Sequence, residues 1–181
     1  GTPTYLSSTQ LEQVVSAIHA RFDVEASAER AIEIDPRVTT AVQVATLLRL
    51  GFRRFSLGVQ DLDPAVQEGI GRIQSLEETV ATVNACRAMP GSSVNVDLIY
   101  GLPTQTLVSF ERTLKRVIEV APDRVAVYNY AHIPSLFKPQ QRIRETDLPS
   151  PDTRLKLLTM AINLLTGAGY QLSLIHISEP T

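Results

Sequence analysis

The chain has 181 residues, of which 44% are hydrophobic and 20% are charged, with a formal net charge of −2. This composition suits one folded domain, and it excludes a disordered chain and a basic face that binds nucleic acid. A single cysteine, Cys86, excludes an internal disulfide framework; it lies on the apolar face of a predicted helix, which indicates a core position. No apolar run approaches the length of a membrane span. We therefore expect a reduced, cytosolic protein without a membrane or nucleic-acid partner.

The first predicted elements are two helices with a strand between them. Ser7 and Gln10 form a capping box before a helix over about 9–22. The strand that follows, 30–35, ends before a proline, and the second helix runs over about 39–51 to a glycine. The apolar repeat of the first helix consists of Leu11, Val14, Val15, Ile18 and Phe22.

The second predicted strand, 54–60, leads into a polar stretch, 61–72. Asp61 and Asp63 in that stretch are expected to be turn and helix-cap residues. The next helix opens with a capping box at Ser75 and ends before a Pro-Gly pair.

The remaining elements repeat the alternation of strand and helix. A strongly hydrophobic strand, 94–100, precedes a helix over about 107–121, and the fourth strand is 124–130. The loop 131–149 is long for a compact domain and predicts a lid or a binding loop. A last helix follows over about 150–166. Its apolar repeat consists of Leu155, Leu158, Ile162 and Leu165.

Four strands, each followed by a helix, are typical of parallel βα units. They indicate either an open doubly wound sheet or part of a barrel, and the pattern alone leaves both open. In such folds the site lies at the carboxyl ends of the strands. The polar residues at or near those ends, which we expect to meet around one site, are Glu33, Gln60, Asp97 and Asn129.

These side chains have alternative interpretations. Glu33 and Asp97 interrupt apolar strands, where a carboxylate needs a cation or several donors, so each either forms a structural ion pair or binds a ligand. Gln60 and Arg72 could be ordinary solvated residues. Carboxylates together with an arginine suit a zwitterionic ligand. His132 follows a strand end and could reach the site, but no nucleophilic set or metal-ligand spacing is present.

Five strings in this order resemble the oxygen-independent coproporphyrinogen III oxidases, which are radical S-adenosylmethionine (SAM) enzymes. The strings are Gly1-Thr-Pro-Thr-Tyr-Leu6, Glu33-Ile-Asp-Pro-Arg37, Ser56-Leu-Gly-Val-Gln-Asp61, Asp97-Leu-Ile-Tyr-Gly-Leu-Pro103 and Val127-Tyr-Asn-Tyr-Ala-His132. The resemblance covers about residues 1–170. It implies an α/β fold, a partial parallel (β/α)6 radical-SAM barrel, of which this chain holds strands three to six.

The resemblance also implies an activity in haem biosynthesis. A [4Fe–4S] cluster reduces SAM to a 5′-deoxyadenosyl radical, which takes a hydrogen from a propionate of coproporphyrinogen III. Loss of CO2 and one electron leaves a vinyl group, and two rounds give protoporphyrinogen IX. The expected partner is the porphyrinogen, with an electron donor that the resemblance does not specify, and the protein is expected to be a cytoplasmic monomer. A haem chaperone of the same superfamily, which carries haem without oxidising a porphyrinogen, is the alternative.

The resemblance implies cofactor-binding residues, and no catalytic or metal-ligating residue, in this chain. Two SAM molecules are expected. Glu33 and Ala131 would contact the cluster-bound one. The residues that would contact the second are Gly1, Thr2, Gln60, Arg72 and Asp97.

The family's three cluster cysteines are expected upstream of Gly1, so we interpret residues 1–170 as a fragment of the core domain. Residues 171–181 do not match the family; they resemble translated adapter sequence, and His176 within them is given no role. We therefore expect the 181 residues alone neither to bind a cluster nor to turn over substrate. An anaerobic assay for SAM cleavage tests this expectation, and cleavage by the isolated chain would contradict it.

Overall fold

The computed structural model describes residues 2–173. They form four strands, β1 (Ala31–Ile34), β2 (Arg54–Gln60), β3 (Ser93–Tyr100) and β4 (Arg124–Asn129). Their helices are α1 (Ser8–His19), α2 (Ala41–Arg49), α3 (Pro64–Ile70), α4 (Leu76–Cys86), α5 (Leu107–Val120) and α6 (Pro151–Gly167). Short 3₁₀ turns occur at Pro3–Tyr5, Lys138–Arg142 and Glu145–Asp147. None of the helices in this part of the chain is long and apolar enough to cross a membrane.

The strands form one parallel sheet in the order β1-β2-β3-β4. Alternate strand residues are buried against the helices in a single core that includes Ile34, Leu57, Val96 and Leu98. The opposite face carries partly exposed residues. A doubly wound sheet reverses its strand order and has helices on both faces. Sequential order with helices on one face is the arrangement of a barrel segment, which settles the two alternatives that the sequence left open.

Local side-chain hydrogen bonds fix the helix starts. The predicted capping boxes at Ser7 and Ser75 are both confirmed. Two further boxes, at Thr40 and Thr106, begin α2 and α5. Each box satisfies backbone N–H groups that the first turn of a helix leaves without partners. Cys86 is confirmed as a core residue at the end of α4, and burial raises the pKa of its thiol to about 12.

The polar stretch after β2 contains a helix, α3, that its composition did not indicate. Asp63 is its N-cap, as expected, and accepts hydrogen bonds from the backbone of Ala65 and Val66. Pro64 occupies the first turn, and Gly71 ends the helix with a φ of 65°. These start and stop residues were the available signals, because a seven-residue helix is too short to show an apolar repeat.

The apolar repeats of the first and last helices were only partly right about burial. In α1, Leu11 is buried, whereas Val14 is 48% and Ile18 is 44% exposed. In α6, Leu157 is buried and Leu155 is 63% exposed. Each helix is apolar over a wider arc than the stripe that contacts its neighbours, so periodicity could not identify the contacting residues.

Asp61 is fully buried just beyond β2, although the sequence predicted a turn residue. It accepts hydrogen bonds from Gln105 Nε2 (2.6 Å), Thr113 Oγ1 (2.5 Å) and the Asp63 backbone N–H (2.8 Å). The Gln105 amide is oriented by its Oε1, which accepts from the Gly101 backbone at 2.7 Å. Burial raises the pKa of Asp61, and the three hydrogen bonds oppose that rise. One carboxylate thus joins β2, the loop after β3, and α5.

The substitution Asp61→Asn should destabilise the fold by about 1–3 kcal/mol, because every partner of the carboxylate donates and an amide NH2 would face one of these donors. Asp63→Asn is the matched control, since asparagine is as good an N-cap as aspartate and the lost Asp63–Arg112 ion pair is at the surface, so the change should stay below about 1 kcal/mol. Urea denaturation measures both free energies of unfolding. Equal effects would contradict the role of Asp61.

Candidate functional site

The face of the sheet that points away from the helices carries a row of polar side chains. Glu33 is paired in register with Ser56, and Ser56 with Asn95. Two residues further along these strands, Gly58 is paired with Asp97. Because side chains alternate across a strand, these residues lie on one face while their apolar neighbours enter the core. The tertiary structure therefore places Glu33 and Asp97 together, as the sequence predicted.

The two carboxylates of this face have no basic partner among the residues that the structure describes. Asp97 accepts hydrogen bonds from Ser56 Oγ (2.8 Å) and Asn95 Nδ2 (2.7 Å). Among residues 2–173, neither Glu33 nor Asp97 forms an ion pair, so the salt bridge considered for Glu33 is absent from this part of the chain. Burial and the charge of Asp97 raise the pKa of Glu33. Burial and these two charges also raise the pKa of Tyr128. The face is therefore acidic and open to a cationic group.

Gln60 and Arg72 meet above Gly58. Gln60 has a φ of 69°, which is rare outside glycine, and the pairing of β2 with β3 is irregular between Gly58 and Gln60. A Cβ atom on Gly58 would lie 2.9 Å from Gln60 Nε2 and 3.3 Å from Arg72 Nη2. Glycine at this position thus lets an amide and a guanidinium lie directly beside the row that contains Asp97.

Arg72 is held by Asp35, a residue that sequence reasoning treated as a strand end. Its Nη1 and Nη2 each lie 3.1 Å from an oxygen of Asp35, and Nη2 also donates to Gly58 O at 2.7 Å. Arg37 donates to the same carboxylate at 2.7 Å. Burial favours the neutral acid, but the hydrogen bonds and charges of the two arginines prevail and lower the pKa of Asp35. Arg72 Nε is buried without a hydrogen-bond partner among residues 2–173.

The 3₁₀ turn at the start of the chain docks beside Asp35. Thr4 is buried, and its Oγ1 accepts from the Asp35 backbone N–H at 3.4 Å. Gln43 of α2 donates to the carbonyl oxygens of Thr4 (2.9 Å) and Leu6 (2.7 Å). This docking places Thr2, which precedes the turn, near the carboxyl end of β1. Gly1 lies outside the described residues. Sequence reasoning missed Gln43, whose polar burial on a helix gives no local signal.

Asn129, Ala131 and His132 lie at the far edge of the sheet, where Asn129 is the last residue of β4 and the other two follow it. They line a cleft of about 600 Å³ between the loop 131–149 and the start of α6. Gln140 holds this loop by donating to Ala131 O at 2.9 Å. No hydrogen bond joins Ala131 to Glu33 within the described chain. Ala131 and His132 thus line this cleft at the β4 edge, whereas Gln60 and Arg72 meet above Gly58.

The acidic and arginine groups on the β1–β3 side fit a ligand that carries an ammonium and a carboxylate, such as SAM. Within the described chain, Asp97 and Glu33 offer carboxylates without a cation, and Arg72 offers an Nε–H without an acceptor. The residues present do not fit a [4Fe–4S] cluster, which requires thiolate ligands. Cys86 is in the core on the helix side of the sheet, and residues 2–173 contain no group of three or more side chains that could hold a metal ion.

Comparisons with known proteins agree with this architecture. A family model described as the radical SAM superfamily matches residues 1–117. An oxygen-independent coproporphyrinogen III oxidase from Pseudomonas aeruginosa is 46% identical over 173 residues, 94% of this chain and 38% of that protein. The Escherichia coli protein of the same name is 44% identical over 181 residues, 99% of this chain and 40% of that protein. The chain thus spans about two fifths of the length of the curated relatives it matches.

Solved structures show the same fold. Coproporphyrinogen III oxidase from Escherichia coli, described as a radical SAM enzyme, superimposes with a TM-score of 0.92 at 45% identity. The match covers 94% of this chain and 39% of that one. An archaeal Elp3 from Methanocaldococcus infernus superimposes with a TM-score of 0.65 at 16% identity. The match covers 87% of this chain and 42% of the Elp3 chain, and it shows a likeness of fold alone.

The substitution Asp35→Ala should destabilise the protein by about 3 kcal/mol, because it leaves the guanidinium groups of Arg37 and Arg72 side by side without their shared carboxylate. Glu12→Ala breaks the exposed Glu12–Arg49 pair and should cost less than about 1 kcal/mol. Denaturant unfolding of both variants measures the difference.

The difference in stability between the unsubstituted protein and Asp35→Ala is also expected to depend on pH. Since the pKa of Asp35 is lowered in the folded state, its stabilisation is complete above the ordinary aspartate pKa of about 4 and is lost as the pH falls through the lowered value. The stability gap between the unsubstituted protein and Asp35→Ala should therefore narrow in acid. A gap that widens in acid would contradict this ion pair.

Proposed function

This chain belongs to the radical SAM superfamily, and on that premise we propose that it forms strands three to six of an oxygen-independent coproporphyrinogen III oxidase. The observation that carries the proposal is the identity with oxidases of that name over nearly the whole chain. The close superposition on an oxidase structure supports it. The proposed reaction converts two propionates of coproporphyrinogen III to vinyl groups. Each round removes a hydrogen atom, CO2 and one further electron, which leaves with an acceptor.

The chain's own residues would hold SAM in two places. Glu33 and Ala131 are proposed to contact the molecule that is bound to the cluster. The residues proposed for the second molecule are Gly1, Thr2, Gln60, Arg72 and Asp97. SAM bound with a [4Fe–4S] cluster would supply the one-electron chemistry that removes hydrogen from the substrate. The proposal assigns the cluster ligands to no residue among 2–173, where no group of three or more side chains could hold a metal ion.

The geometry supports a role for three of these side chains, Asp97, Arg72 and Glu33. Asp97 can accept from an ammonium, since Ser56 and Asn95 already orient its two oxygens. Arg72 can donate through Nε while Asp35 keeps its Nη atoms in place. Gly58 supplies the room for a ligand to approach this part of the sheet closely. Glu33, with its raised pKa, can bind a hydroxyl or an ammonium group.

We propose further that the protein is cytoplasmic and acts as a monomer on a porphyrinogen. A chimera tests the activity: residues 1–170 of this chain replace the matching segment of the Pseudomonas aeruginosa relative. We expect this chimera to release CO2 from coproporphyrinogen III under anaerobic conditions and to form protoporphyrinogen IX. Haem transfer by the chimera without decarboxylation would instead establish the haem-chaperone alternative.

Asp97→Asn in the same chimera should weaken SAM binding about tenfold, because an amide cannot replace the charge that faces the ammonium. Asp63→Asn, a helix cap away from this face, should leave binding unchanged. Isothermal titration with SAM gives both affinities. Unchanged binding in Asp97→Asn would assign Asp97 a structural role.

A further inference from the structure

Arg154 occupies the cleft at the carboxyl end of β4, away from the group formed by Asp35 and Arg72. The cleft of about 600 Å³ lies between the loop 131–149 and the first turns of α6. Asn129, Ala131 and Arg154 are among the residues that line it. None of the sites proposed above uses Arg154.

The surrounding backbone fixes the side chain of Arg154. Its Nε donates to Pro149 O at 3.1 Å. Its stem lies against Gly101, where a Cβ atom would meet Arg154 Cδ at 3.4 Å. Gly101 has a φ of 84°, so glycine serves both the turn after β3 and the passage of this side chain. The guanidinium is therefore held from the Nε side and keeps its two Nη groups for another partner.

The Nη groups of Arg154 have no acceptor among residues 2–173. Glu145 also lines the cleft, but no ion pair joins it to Arg154. By contrast, Lys156, two residues further along α6, is paired with Asp152 at 2.6 Å. A guanidinium that is oriented and partly buried, yet unpaired, is suited to bind a carboxylate in a forked geometry.

The neighbouring loop, 131–149, carries further cations together with exposed apolar side chains. Lys138 and Arg142 form no ion pair within the described chain. Ile133, Leu136 and Phe137 are 38%, 73% and 52% exposed. A ligand that suits this surface has an apolar frame and more than one carboxylate, which is the chemistry of a porphyrinogen with propionate side chains.

We propose that Arg154 binds a propionate of the porphyrinogen substrate in this cleft, an inference that rests on the proposed function. The carboxylate of SAM is the other possible source of this chemistry. Arg72 is bonded to Asp35 and Gly58 on the β1–β2 side of the sheet, whereas Arg154 lies against Gly101 and beside β4. A carboxylate held at Arg72 therefore leaves Arg154 for a second acid.

Equilibrium binding of coproporphyrin III to the 181-residue chain tests the inference without turnover, through the fluorescence of the porphyrin. Arg154→Gln should raise the Kd about tenfold, and Arg154→Lys, which keeps the charge but not the fork, should raise it less. Lys156→Gln is the matched control, because that cation lies on the same helix and already has a partner. Its Kd should equal that of the unsubstituted chain, and thermal unfolding of each variant confirms that it is folded.

The remaining outcomes separate this inference from its alternatives. No binding by the unsubstituted chain, or equal Kd values for Arg154→Gln and Lys156→Gln, would overturn it. Weaker binding of SAM, with coproporphyrin III unaffected, would assign the guanidinium to the methionine carboxylate and would also overturn it. Inactivity of the chimera described above, with the Kd difference intact, would remove the oxidase function and leave Arg154 as a residue that binds a porphyrin carboxylate.

Discussion

The buried carboxylate of Asp61 is the constraint on which the carboxyl-end geometry depends. A carboxylate without solvent is costly unless donors surround it, and Asp61 obtains them from Gln105, Thr113 and the Asp63 backbone. Those donors belong to the loop after β3, to α5 and to the segment before α3. The hydrogen bonds to this one carboxylate thus hold three segments together at the carboxyl ends of β2 and β3.

The sheet has an apolar face that packs against the helices and an opposite face that carries polar side chains. Apolar side chains on the helix side form one core, so the opposite face can carry Glu33 and Asp97 without ion-pair partners within the described chain. Two nearby carboxylates without a cation cost stability, as the raised pKa of Glu33 indicates. Such an arrangement is expected where a ligand supplies the missing charge.

Arg72 and Arg154, which lie near opposite edges of the sheet, differ in how many of their donors already have partners. Arg72 is already bonded to Asp35 and is held beside Gly58, so its position is set before any ligand arrives. Arg154 is bonded only through Nε among residues 2–173 and keeps its Nη groups for the cleft. This difference between a preset donor and an open one is consistent with the two proposed roles, a SAM carboxylate at Arg72 and a propionate at Arg154.

The sequence by itself determined what depends on near neighbours in the chain. The capping boxes at Ser7 and Ser75 join residues three positions apart, and strand alternation put Glu33 and Asp97 opposite their apolar neighbours. The family strings also indicated the barrel. The tertiary structure decided the rest: the partner of Arg72 is 37 residues away, and Thr113 is 52 residues from Asp61. It also decided which stripe of α6 is buried. Periodicity records only spacing along the chain, whereas these contacts depend on which strands and helices become neighbours in space.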